Sequence, residues 1–177
     1  MLRQDVDPYD GFGILDDFAS RPLASHEDRA YALVAGALLE QTLEQLILIK
    51  CRREMWDEPQ RSKLFGSDRD GAVNSFAGKI TLAYALDMFE TDIKQDLDLV
   101  RKIRNAFAHA KRNINFDTQE IADMCRFGLE ALLYKEHYTV VTPKMRFIDT
   151  AAILSLTLVK YGHELIDHMY VPGQPDA

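Results

Sequence analysis

The stretch from Ser25 to about Glu54 constrains this chain most. Ser25 or His26 opens a helical pattern there, with Glu27 and Asp28 in the first turn, where carboxylates favour the positive end of the helix dipole. At about 100° per residue, the apolar side chains from Tyr31 to Ile49 cover well over half of the circumference. Such a helix has almost no face to give to water. It belongs at the centre of a bundle, with other helices packed on several sides.

The rest of the chain supplies those helices. Asn74 or Ser75 is placed to cap a helix over Phe76–Met88, and Thr91 to open one running to about Ala110. Asp117 would cap a helix over Thr118–Lys135, with Glu120 at the capping-box position. A last long helix fits Lys144–Met169. Its stripe of Phe147, Ala151, Leu154, Leu158 and Leu165 reads as core or as a dimer face. Pro59 and the run from Phe65 to Gly71 read as a connecting loop, Asn113–Phe116 as another, and Thr139–Thr142 as briefly extended. Pro8, Gly11, Gly13 and Pro22 break the first 24 residues, where a short helix fits Gly13–Ser20. The expected fold is all-α, a single-domain helical bundle over residues 25–171, with an N-terminal extension (1–24) and a flexible tail (172–177).

Hydrophobic residues make up 47% and charged residues 28%, as in ordinary globular proteins. No uninterrupted apolar run approaches the roughly 18 residues of a membrane span. The first residues hold no apolar signal-like segment, so a cytoplasmic location is expected. Cys51 and Cys125 are isolated, match no metal spacing, and read as free thiols in the core. The net charge of −7 sets the chain against DNA phosphates at long range, and no helix-turn-helix pattern is present. Direct sequence-specific DNA binding is therefore not expected.

Chemistry concentrates in one helix. Residues 87–98 carry Asp87, Glu90, Asp92, Asp96 and Asp98 against Lys94, whereas 99–116 carry Arg101, Lys102, Arg104, Lys111 and Arg112 and no acid. Helix-dipole complementarity explains that gradient, and the basic residues form a candidate binding surface. It does not explain why Arg104, Asn105 and His109 stand together. On a helical wheel Ile93, Leu97, Val100, Ile103 and Phe107 gather on one side, with Arg104 at the edge of that arc. Asn105 and His109 lie on or near the opposite face. A core-edge arginine needs a partner, and Glu40 and Glu44 are the candidates. If the helix ended near Phe107, His109 would be free to approach Arg104.

Other constellations are weaker. The two histidines of His163-Glu-Leu-Ile-Asp-His168 are five apart, which turns them away from a common zinc ligand face. The stretch Asp68-Arg-Asp-Gly71 hints at a calcium loop, but the twelfth position is Lys79, so it reads as a turn. Neither a metal nor a cofactor is expected.

Several segments, in order, resemble the mannitol-operon repressor (MtlR-like) family. They are Leu64-Phe-Gly66, Ser75-Phe-Ala-Gly-Lys-Ile-Thr-Leu-Ala-Tyr-Ala-Leu86 and Asp96-Leu-Asp-Leu-Val-Arg-Lys-Ile-Arg-Asn-Ala-Phe-Ala-His109, and the likeness covers about residues 26–135. It implies a helical regulator that works through contacts with another protein. The run Arg104-Asn105-x-x-x-His109 also resembles the Arg-x4-His signature of the HEPN superfamily of helical nucleases and their non-catalytic relatives. That likeness implies a homodimer with Arg104 and His109 near its two-fold axis, and RNA as substrate without a metal. His109 would then move protons, Arg104 would neutralise phosphoryl charge and Asn105 would position the group. The apolar breadth of the central and final helices also favours a homodimer.

Overall fold

A computed structural model describes residues 27–66, 71–111, 113–127 and 142–169. Among them are six α-helices and no strand: α1 (Glu27–Lys50), α2 (Glu58–Phe65), α3 (Phe76–Ala85), α4 (Thr91–His109), α5 (Gln119–Phe127) and α6 (Pro143–Met169). The all-α bundle expected from sequence is what the chain forms.

α1 is the central helix. It packs against α6, α4 and α3 on different sides, and Ala32, Leu39, Leu43, Leu46, Ile47 and Leu48 are all but sealed from solvent. Over an 18-residue window its mean hydropathy is 1.5, so by length and composition it would also cross a membrane; in this fold 44% of that window is buried, on the sides that meet the neighbouring helices. Its described span is Glu27–Lys50, and it stops at Lys50, four residues before the Glu54 expected. The stop has a visible cause. The Cys51 N–H turns back to Leu48 O, and the Lys50 ammonium reaches across to Leu86 O at 2.7 Å, holding the chain end against α3. A 3-10 turn over Arg53–Trp56 follows.

α2 corrects the loop expected around Pro59. Pro59 lies in the first turn of this helix, where its missing N–H costs nothing and its fixed φ suits helix entry. α2 is held by Phe65, which is buried, and by the Val73 N–H bonded to Leu64 O at 2.7 Å. α3 begins as its sequence predicts, with the Ser75 hydroxyl accepting from Gly78 N–H at 3.0 Å. It ends at Ala85 rather than Met88, because Asp87 takes a left-handed conformation (φ 56°) and lets Asp87 and Met88 N–H bond back to Tyr84 and Ala83 carbonyls.

α5 opens at Gln119, with Thr118 O accepting from Ala122 N–H, so Thr118 stands where Asp117 was expected to cap. The later part of that helix as expected, the extended stretch Thr139–Thr142 up to residue 141, the Gly13–Ser20 helix and the tail lie outside the described residues. α6 opens on Pro143, with Thr142 Oγ1 accepting from Met145 N–H. Its stripe of Phe147, Ala151, Leu154 and Leu158 is core. Phe147 completes an aromatic trio with Phe116 and Phe107, centroids 5.1 and 4.9 Å apart, that joins α4, α6 and the α4–α5 loop. Asp28 closes the same end: it accepts from Phe116 N–H at 3.1 Å and pairs with Lys144 at 2.7 Å, while the Lys144 ammonium lies 4.5 Å from the Tyr31 ring centre.

Candidate functional site

On α1, Gly36, Glu40 and Glu44 follow one another at four-residue intervals and so share a face. Gly36 is where α4 comes closest. A Cβ there would stand 2.6 Å from Arg104 Cγ and 3.1 Å from its Cβ, so only glycine admits the arginine stem. From this seat the Arg104 guanidinium turns toward Glu40, 3.7 Å from Nη2 to Oε2, and donates from Nη1 to Asn105 Oδ1 at 2.9 Å. Its Nε is buried and has no hydrogen-bond partner among the described residues.

Glu40 is shared. Its other oxygen accepts from Lys79 of α3 at 3.1 Å, and the same ammonium reaches Glu44 at 3.1 Å. Glu44 also accepts from Arg61 of α2, from Nε at 2.8 Å and Nη2 at 2.7 Å. Arg61, Lys79 and Arg104 thus face two carboxylates in one continuous chain across four helices. Lys79 is the deepest member at 5% exposed, with its ammonium 5.6 Å from the Phe65 ring centre. Of the two partners expected for Arg104, Glu40 fills the role and Glu44 belongs to Arg61 and Lys79. The sequence held a signal for Lys79: it stands on the same helical face as Phe76, Ile80 and Ala83, where a cation must find acids.

His109 does not join this network. α4 continues through it rather than ending near Phe107, and Arg29 of α1 donates to Ala108 O at 2.9 Å, tying down the last turn. In an unbroken helix, five residues turn the chain about 140° past Arg104. His109 therefore shares a face with Lys102 and Ala106, is exposed, and makes no hydrogen bond or ion pair among the described residues. Asn105 does reach Arg104, as its immediate neighbour.

The basic residues divide in the same way. Arg101 is occupied by Asp98 at 3.2 Å, which also holds Lys94 at 2.7 Å. Burial raises the Asp98 carboxyl, but the two cations outweigh it and leave the group below its ordinary value. Lys102 and Lys111 are exposed, without an ion pair among the described residues; Arg112 lies outside them. Beside them is a groove of about 440 Å³, lined by Ala106, Ala110, Ile114 and Ile121 together with Lys111 and Glu120. His163 is exposed on α6, and the side chain of His168 lies outside the described residues.

Comparison with protein-family models, with curated proteins and with solved structures returns no match, so the chain's own residues carry the functional reading.

Proposed function

We propose that this chain is a transcription-regulatory protein, in the manner its likeness to mannitol-operon repressors implies, that acts by gripping another protein. The observation that carries this reading is the division of the Arg104–His109 run. Arg104 is committed to Gly36, Glu40 and Asn105, while His109 points to solvent about 140° away. Proton transfer and charge neutralisation at one phosphate need both groups within hydrogen-bond reach of it. A contact surface needs no such convergence. The end of α4 offers two lysines without an ion pair among the described residues, an exposed imidazole and an apolar groove, which together suit an acidic segment of a partner carrying one or two apolar side chains.

The nuclease alternative makes a sharp contrast. It predicts cleavage of a mixed RNA pool in EDTA, leaving cyclic or 3′-phosphate ends, abolished by His109→Ala. The regulatory reading expects no cleavage by wild type or by His109→Ala, and only weak, salt-sensitive retention on duplex DNA. It further expects a photo-crosslinker at Ala106 to capture one regulatory protein in cells, with capture lost in Lys102→Glu/Lys111→Glu. Metal-independent cleavage that requires His109 would overturn it, as would tight operator binding by the protein alone.

A further inference from the structure

α6 carries two stripes. The inner one is the core stripe already described. The outer one consists of Asp149, Ala152, Leu156, Val159, His163 and Ile166, at alternating steps of three and four residues, and Met145 extends it one step toward the N-terminus. This is the a/d spacing of a coiled coil, held over three heptads; Met145, Leu156, His163 and Ile166 in it are exposed, whereas Asp149, Ala152 and Val159 are partly buried. Met145, Leu156 and Ile166 are 39%, 42% and 45% exposed, half of the six large hydrophobics that are exposed among the described residues. A solvated helix face does not need apolar side chains in that register.

We propose that this stripe is a docking surface for a second copy of this chain, the two α6 helices lying antiparallel. The pattern of side chains selects that occupant. When Leu156 is set against Val159 of the second copy, Ala152 falls opposite the second copy's His163, and Asp149 opposite its Ile166 at the two ends. The flanking positions then match in charge: Arg146 of each copy lies opposite Asp167 of the other, and the aliphatic stem of Lys160 lies beside Ile153. Both charge pairs arise from one surface meeting itself, as a two-fold axis requires. A parallel pair would instead stack Asp149 on Asp149 and His163 on His163, and would align the helix dipoles. The contact extends beyond one helix. A groove of about 220 Å³ runs between α6 and α1, lined by Thr42, Gln45, Ile49 and Gly162 along with Val159 and Ile166. The two-fold axis so placed passes between the two α6 helices, level with Thr157 and Leu158, not beside Arg104.

Light scattering and sedimentation across the micromolar range test this. Wild type should weigh about twice the 20.2 kDa of one chain. Leu156→Asp and Ile166→Glu, at positions already exposed, should keep native helicity and weaken association by at least about thirtyfold. Arg146 also donates to Arg126 O at 2.8 Å, so its single variant could act within the chain. The decisive comparison is therefore Arg146→Asp and Asp167→Arg separately, each weakening the dimer, against the two combined, which should restore it. In a Cys51→Ser background, a mixture of Leu156→Cys and Val159→Cys chains should form the intermolecular disulfide readily, and Leu156→Cys alone should not. A wild-type monomer throughout the range, a dimer indifferent to Leu156→Asp, or rapid self-crosslinking of Leu156→Cys alone would overturn the proposal.

Discussion

Replacing Lys79 by Met should cost this protein about 2–3 kcal/mol of stability. The substitution keeps a stem of similar length against Phe65 and removes only the charge that Glu40 and Glu44 share. Each lost contact is a hydrogen bond between charged groups, worth about 1.5–3 kcal/mol, so the gross loss is about 3–6 kcal/mol. Three terms reduce it. Glu44 keeps Arg61 at 2.7 Å and Glu40 keeps Arg104 at 3.7 Å. The Glu40 and Glu44 side chains remain 20% and 15% exposed, so water reaches them. The variant also sheds the desolvation cost of a buried ammonium. Urea unfolding at neutral pH, followed by far-UV circular dichroism, reads the difference from the midpoint at constant slope. In thermal melts the same loss should appear as a drop of about 4–12 °C. A cycle with Glu44→Gln should return a coupling of at least about 1 kcal/mol. A Lys79→Met protein within about 0.5 kcal/mol of wild type, or more stable, would refute the reasoning: hydrophobic packing alone would then hold α3 to α1.

Two further outcomes follow from other parts of the fold. Cys125 is fully buried, and burial pushes its thiol up to about 12 against the opposing pull of Arg146. The folded thiol keeps its proton while the unfolded one, near 9.0, loses it. Stability contributed by Cys125 is therefore intact below about pH 9 and falls toward pH 12 by up to about 1.4 kcal/mol per unit; the wild-type minus Cys125→Ala difference should be flat below pH 9 and decline above it. At the start of α6, Asp28→Ala removes the acceptor for Phe116 N–H as well as the partner of Lys144, and should cost about 2–4 kcal/mol in urea titrations. Asp28→Asn keeps an acceptor and should recover at least half; equal loss in both variants would show that the ion pair alone matters.

Local chemistry made much of this protein legible before its structure. The helix class followed from periodicity, because a 3.6-residue repeat is written in the spacing of side chains and needs no neighbour to be read. The Ser75 cap was legible for the same reason, since donor and acceptor lie three residues apart. α2 was missed where two local signals compete: Pro59 reads equally as a breaker and as a first-turn residue, and burial of Phe65 against other helices settles the matter. At the candidate site, spacing placed Arg104 at the edge of the core and offered Glu40 or Glu44 as its partner. Choosing between them depended on where α4 crosses α1, which the close approach at Gly36 sets, and on Lys79 and Arg61 arriving from two other helices to claim Glu44. The direction of His109 likewise turned on whether the last turn of α4 would hold, and the Arg29 contact that ties it to α1 spans 79 residues of chain. Helix class and face are properties of a short stretch of backbone. The sharing of a carboxylate among three helices exists only once those helices have packed, because charged groups distant in sequence act on one another only where the core brings them within a few ångströms.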